Sequence, residues 1–337
     1  MISAEAPARV GLLGNPSDGY GGRTLSLAVP RFKAVVTIES AAEIELVPNP
    51  GDLPRWSSLK AMVERVDRNG YGTGPQLLAA TIRTFADVAR SMDRTDLDGL
   101  GFRVRYRTSI PRQVGLGGSS ALVVAMLRAL GELTEIELPD HVLPSVALRV
   151  ETEQLGIMAG LQDRVVQTMG GLVSMNFAEM TTDPRFGVSH GEYRSLDPSR
   201  LPPLFLAYRT GTAEPSGTYH GTLRRRFDSG DRVVSDGLRA LAGLVVEGEA
   251  ALRWSHAERL TGLIDENMNI RESLAPIPAG QLELVEQARS LGVAATFAGS
   301  GGAVVGVYED DQQFDTLTGA MASIGADVVS IWPQTQD

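Results

Sequence analysis

The chain has 337 residues, 43% of them hydrophobic and 21% charged, with a formal net charge of −10. That length holds two domains or one large one and buries a sizeable core. The acidic balance argues against a nucleic-acid partner, the absence of cysteine removes disulfides and thiolate chemistry, and four scattered histidines without an HExxH pair make a poor zinc hydrolase. No stretch approaches 18 uncharged apolar residues, and MISAEAPARVGLLG has neither a basic start nor a long apolar run. Neither a membrane span nor a signal peptide is expected, and the lack of cysteine fits a reducing cytoplasm.

Residues 9–13 and 32–47 read as strands with glycine turns between them. Residues 75–92 read as an amphipathic helix with Pro75 near its start, and 101–109 alternate as a strand. After the loop IPRQVGLGGSS, the run ALVVAMLRALGEL reads as a buried helix. Residues 139–156 look helical and 171–177 extended. The proline-rich passage SLDPSRLPPL at 195–204 is the best candidate boundary, giving domains 1–195 and 196–337. Beyond it come a strand (LFLAYR), helices at 231–247 and 281–291, a strand–glycine turn–strand in AATFAGSGGAVVGVY, a helix at 311–323 and a last strand, ADVVSIW. The class is α+β.

The most informative segment runs from Pro111 to Ala121, PRQVGLGGSSA, between a strand and an apolar helix. Gly115, Leu116, Gly117 and Gly118 let backbone approach a ligand closely. The first amides of the helix, at Ser119, Ser120 and Ala121, add an anion site reinforced by the helix dipole. The two serine hydroxyls either cap the helix or ligate Mg²⁺. The plainer reading is a capped turn with no ligand. Three other motifs fail here. A Walker A loop needs a lysine, and the two lysines are Lys33 and Lys60. A dinucleotide fingerprint lacks its third glycine at Ser120, and a nucleophile elbow lacks its last at Ala121.

Three further clusters carry polar groups. Glu151 and Glu153 fall on different faces of a helix, so one of them is expected at a given site and the other in solvent. Asp163 follows a G-x-x-x-G-x-x-D turn between Leu161 and Val165, where a carboxylate can accept a proton from a substrate hydroxyl. After the first strand, Asn15, Ser17, Asp18 and Arg23 lie in the loop GNPSDGYGGRT, which either makes turns or hydrogen-bonds sugar hydroxyls. Near the C-terminus, Gly299, Ser300 and Gly301 in AGSGG form either a hairpin turn or a second backbone approach to a ligand.

In order and spacing these clusters resemble the GHMP kinases across nearly the whole chain. PxxxGLGGSSA resembles the phosphate-binding motif of that family and AGSGG its third motif. Of the galactokinase-type first motif only Asp18 matches, which disfavours galactose. GNPSDGYGGRTLS, ETEQLGIMAGLQDRVVQTMGGLV and SGTYHGTLRRRFDSGD resemble the glucuronokinase branch more specifically. The resemblance implies an N-terminal domain like the second domain of ribosomal protein S5 and a ferredoxin-like C-terminal domain. It implies ATP- and Mg²⁺-dependent phosphorylation of D-glucuronate at its anomeric hydroxyl, with the sugar and ATP as partners. Asp163 matches the catalytic aspartate and Arg9 the arginine paired with it. Glu151 and Ser120 match the metal site, with Ser119 as the second choice of hydroxyl. Asp18 matches a sugar-binding aspartate, and Gly115, Gly117 and Gly118 would wrap the triphosphate.

A uronate also needs a cation for its carboxylate, because burying that charge alone is costly. Arg23, the run Arg224-Arg225-Arg226 with nearby His220, and Arg164 are the candidates, the run reading more readily as a solvated helix face. Trp56 and residues 48–58 are candidates for the adenine pocket. The alternatives are a kinase for another aldose, a heptose phosphate or a hexosamine; a sugar and ATP sensor without turnover; and an unrelated serine hydrolase.

Overall fold

The computed structural model describes residues 1–49, 74–210, 217–254 and 256–333. The first sheet is built on one long strand. β1 (Ile2–Leu13) runs antiparallel along β2 (Arg23–Ser40), from Ile2 opposite Ile38 to Leu13 opposite Leu25. The other edge of β2 takes β5 (Leu172–Asp183) at its start and β4 (Phe102–Thr108) at its end. Short β3 (Glu45–Leu46) and β6 (Val188–Leu196) complete the six strands. The expected turn before residue 32 is instead a register shift inside β2: Ala8 pairs with Val29 and Pro7 with Lys33, so Pro30, Arg31 and Phe32 are bulged out. A bulge accommodates a proline that a regular ladder would not.

Alternation along β1 explains its placement. Its first residues alternate between partly exposed and exposed, and from Ala8 to Leu13 every residue is buried. That half is covered on both faces. Helix α2 (Gly118–Thr134), apolar nearly all round, packs on the strand, and helices of the second half of the chain pack there too. The remaining helices of this half are α1 (Gly74–Ser91), α3 (Leu143–Arg149) and α4 (Gln162–Met169). The helix expected over 139–156 breaks into α3 and a wider π turn, Val150–Gln154, closed by the Ile157 amide on the Glu151 carbonyl at 2.8 Å.

The second sheet is antiparallel, in the order β10 (Asp327–Trp332), β7 (Leu204–Tyr208), β9 (Ala303–Val307), β8 (Ala295–Phe297). Its helices are α5 (Gly217–Asp228), α6 (Arg232–Arg253), α7 (Ala257–Leu274), α8 (Ala279–Ser290) and α9 (Asp311–Ser323). The two sheets meet through one apolar core that joins Val10 and Leu27 to Leu241 and Val245 of α6 and on to Leu204 and Val305. α6 comes close to β1 at Gly248, where a Cβ would fall 2.4 Å from Leu13 Cδ1. The first sheet ends at Leu196 and the second begins at Leu204, on either side of the proline-rich passage, while the core runs across it. Among the described residues no helix is long and apolar enough to cross a membrane.

Candidate active site

The N-terminus of α2, the first turn of α4, the end of β1 and the β8–β9 turn converge on Arg9. Its Nε donates to Asp163 Oδ1 at 2.7 Å, and its Nη1 donates to the carbonyls of Gly115 at 2.6 Å and Ala298 at 3.1 Å. Arg9 is 4% exposed. One guanidinium therefore fastens the helix bearing Asp163, the 115–118 loop and the third glycine turn to β1. Asp163 keeps 22% of its side chain open to the cleft.

Gly117, at φ 74°, is the N-cap of α2. Its carbonyl accepts from the Ala121 amide at 3.0 Å, the Ser120 hydroxyl at 3.0 Å and Gln167 Nε2 at 2.7 Å. Amides 118–120 then stand outside the intrahelical ladder, as an anion site requires. A Cβ at Gly117 would lie 3.3 Å from both Asp163 Oδ2 and Ser120 Oγ, so glycine lets those two oxygens face the same space. The third turn closes over the loop: a Cβ at Gly299 would strike the Gly115 carbonyl at 2.1 Å, and one at Gly115 would lie 3.0 Å from the Ser300 amide. Gly115 (φ 77°) and Gly301 (φ 121°) both use backbone conformations that disfavour side chains.

Glu151 and Glu153 part company as their spacing predicts. Glu153 is solvent-exposed and pairs with Arg149 at 3.2 Å. Glu151 is 1% exposed; one oxygen accepts from the Ser119 hydroxyl at 2.8 Å and the other pairs with Arg164, itself 3% exposed. Ser119 therefore joins Glu151, while Ser120 turns toward Gly117 and Asp163. Among the described residues no three His, Asp or Glu groups gather as a metal site. The oxygens present still suit Mg²⁺, which takes one or two protein carboxylates and fills its shell with phosphate oxygens and water.

On the other side of Asp163 stands the first-motif turn, Ser17–Tyr20. Asp18 Oδ2 accepts from the Gln162 amide at 3.4 Å and packs so tightly on Gly160 that a Cβ there would fall 2.1 Å from it. Crowding by protein atoms, followed by the nearby Asp163 charge, pushes the Asp18 carboxyl up to about 6, although its side chain keeps some contact with solvent. Asn15 donates to Gln162 Oε1 at 2.9 Å, and its own Oδ1 is buried without a hydrogen bond. Ser17 is fully buried and donates to the Arg23 carbonyl at 2.7 Å, so it shapes the turn from within. Arg23 is partly buried, with no side-chain partner among the described residues. Trp56 lies outside the described residues, and at His220 only the backbone is described.

Three residues that the sequence reading passed over also build the site. Gln162 bridges Asn15 to Ser26 (2.9 Å to each) and Gln167 holds Gly117. Gln167 lies four residues after Asp163, a spacing that places the two on one face of α4 and is legible in the sequence. Arg271, 1% exposed in α7, donates to the carbonyls of Phe297 at 3.3 Å and Gly299 at 2.8 Å and supports the third turn from below. No local signal marks it.

The model of the family described as GHMP kinases N terminal domain matches residues 77–171, which include the glycine loop, Glu151 and Asp163. The chain is 39% identical to Glucuronokinase 1 of Arabidopsis thaliana over 88% of its own length and 82% of the relative's. The chain belongs to the GHMP kinases. It is an ATP-dependent phosphotransferase with an alcohol as acceptor. This kinase is also 26% identical to a mevalonate kinase of Pyrococcus furiosus, over 93% of the chain and 90% of the relative. The structure of Streptococcus pneumoniae phosphomevalonate kinase in complex with phosphomevalonate and AMPPNP has the same fold, with a TM-score of 0.74 at 17% identity. That match covers 98% of this chain and 100% of that one. The kinase thus has the two-domain α+β architecture of its family.

Proposed function

We propose that this GHMP kinase transfers the γ-phosphoryl group of ATP to the anomeric hydroxyl of D-glucuronate. The observation that carries the reading is the Arg9–Asp163 pair at the mouth of the 115–121 loop, with Asp163 partly open to the cleft. The 39% identity to a glucuronokinase supports the choice of sugar.

The amides of residues 115–120 cradle the triphosphate, with Ala121, whose own amide closes on the Gly117 carbonyl, packing behind them. Glu151, with the hydroxyl of Ser120 or Ser119, would hold Mg²⁺, which would supply charge neutralisation for the phosphates. Asn15, Asp18 and Arg23 on one side and Gly299, Ser300 and Gly301 on the other bound the space for the sugar. The anomeric hydroxyl donates its hydrogen bond to Asp163. Its oxygen attacks the γ-phosphorus, the bond to the β-phosphate oxygen breaks, ADP leaves, and the proton passes to Asp163. Arg9 fixes the carboxylate for that transfer, so catalysis is mostly positioning and charge compensation. The same reading assigns ATP binding to residues 1–195 and gives 196–337 as the C-terminal domain. It places the protein in the cytoplasm with small-molecule partners, in keeping with its acidic charge and lack of cysteine.

The test is ADP release with Mg-ATP against glucuronate, galacturonate, glucose, galactose, N-acetylhexosamines and mevalonate. Glucuronate is expected to turn over best. Asp163→Ala is expected to lower kcat about 10²–10⁴-fold while the KM for ATP changes little. Normal turnover in that variant would falsify the assigned base, and turnover with a different sugar alone would remove glucuronate.

A further inference from the structure

The two guanidiniums next to Asp163 are already paired with carboxylates before any ligand enters. Asp18, Asp163 and Glu151 stand against the guanidiniums of Arg9 and Arg164. Burial first, and then the Asp163 charge, raise the Asp18 carboxyl. A uronate brings one more carboxylate into the same cleft, and an uncompensated one is costly to bury. A cation that is not already neutralised is needed at the sugar side; Arg23, partly buried in the first loop, is one candidate and Arg224 the other.

Most arginines nearby are committed elsewhere. Arg9 is spent on Asp163 and two carbonyls, and Arg164 on Glu151 and the Gly160 carbonyl. Arg271 lies beneath the third turn. Arg226 pairs with Asp231 at 2.8 Å and bonds the Leu274 carbonyl. Arg225 is exposed and reaches Thr222 at 3.3 Å.

Arg224 differs from these. From α5 it reaches across to the first-motif turn, where its Nη2 donates to the Gly19 carbonyl at 2.7 Å. Its guanidinium lies over the Tyr20 ring at 4.4 Å and 6.0 Å from the Phe227 ring, and those two rings meet edge to face at 4.8 Å. The group is thus clamped between the Gly19 carbonyl and an aromatic platform whose Tyr20 stands two residues along the chain from Asp18. Its ion pair, with Asp228, is long at 3.6 Å. Stacking occupies the face of the guanidinium, and its rim still carries N–H donors beyond the one given to Gly19. A fixed, weakly neutralised fork of this kind suits a carboxylate.

We propose that Arg224 binds the carboxylate of the acceptor sugar and makes the kinase prefer a uronic acid to the neutral hexose. The inference rests on the proposed uronate-kinase reading. Sugar chemistry agrees with it. The anomeric carbon and the carbon bearing the carboxylate both adjoin the ring oxygen, so a sugar with its anomeric hydroxyl on Asp163 keeps its carboxylate within one ring of that residue. The Asp18–Gly19 turn is tied to the same stretch through the Gln162 amide and Gly160.

The experiment compares wild type, R224Q, R224K and R23Q in steady state with Mg-ATP, on glucuronate and on glucose, each variant checked for a wild-type thermal melt. R224Q is expected to raise the KM for glucuronate about 10- to 100-fold, the worth of one charge-assisted hydrogen bond. The KM for ATP stays as it was, the glucuronate-to-glucose ratio of kcat/KM narrows by the same factor, and R224K recovers part of the loss. Equal losses on both sugars, or a matching rise in the KM for ATP, would mean that Arg224 only props the turn, and the proposal falls. A loss seen in R23Q and absent from R224Q overturns it as well. A wild-type enzyme that ignores glucuronate and phosphorylates another sugar defeats the functional reading itself, and that result is visible before any variant is made.

Discussion

In the proposed reading, the kinase meets its ligand with backbone on one side of Asp163 and with side chains on the other. The phosphate side is the 115–118 loop and the first amides of α2, where Gly115 and Gly117 have positive φ and a Cβ on either would strike a neighbour; the Gly299–Gly302 turn closes over that loop and borders the sugar space. The sugar side is Asn15, Asp18, Gln162 and Arg224, gathered from the first loop, α4 and α5. Backbone recognition suits a ligand part that is always the same, a polyphosphate. Side-chain recognition suits the part that differs from kinase to kinase, because side chains change without disturbing the chain path.

The sharpest way to break the phosphate side is through its buried ion pair. Glu151→Gln leaves Arg164 charged and enclosed without its carboxylate, and losing one partner of such a pair costs about 3–5 kcal/mol. Chemical denaturation should show that loss in the absence of ATP and metal. The double variant Glu151→Gln, Arg164→Met should recover a large part of it. Unchanged stability in the single variant would mean that Glu151 serves ligand binding alone.

The sugar side should answer to pH instead. The folded Asp18 carboxyl sits at about 6 against an ordinary 3.8, so the folded chain holds that proton more tightly than the unfolded one. Stability from this group is therefore present below about pH 4 and is lost as pH rises toward 6. The loss is on the order of 2 kcal/mol once partial solvent screening is allowed for. Asp18→Asn should remove that slope and be the more stable protein at pH 7. Denaturation series from pH 4 to 7 on both proteins give the difference directly. Parallel curves would show that Asp18 is not crowded as described.

The same contrast governs how much could be read in advance. PRQVGLGGSSA and AGSGG stand out because tight backbone approach favours glycine at fixed positions, whereas Arg9 and Glu151 are singled out only through the resemblance to the GHMP kinases, and Asp163 through its turn together with that resemblance. α7 was missed, although its Arg271 supports the third turn. ERLTGLIDENMNIRES has polar residues on most faces, and a lone buried arginine looks like a surface one in sequence. The strand is expected only from residue 32, after glycine turns, whereas β2 starts at Arg23 and the fold carries Pro30, Arg31 and Phe32 as a bulge in a continuous ladder. Ser17 sits in the predicted loop, but hydroxyl orientation is set by the chain that surrounds it, and the Arg23 carbonyl claims it.

The smallest effect is expected two residues from the largest. Glu153 shares the π turn with Glu151, carries the same charge and is also paired with an arginine, Arg149 at 3.2 Å. Both partners of that pair are exposed, at 55% and 38% of their side chains. Water already solvates each charge, so breaking the pair leaves nothing stranded, and exposed i,i+4 pairs contribute about 0.3–0.5 kcal/mol. Glu153→Gln should shift stability by no more than that and leave kcat and both KM values unchanged. A large effect at Glu153 would mean that the turn itself, rather than the buried partner of Glu151, couples this segment to the phosphate loop. The loss at Glu151 would then need the same explanation.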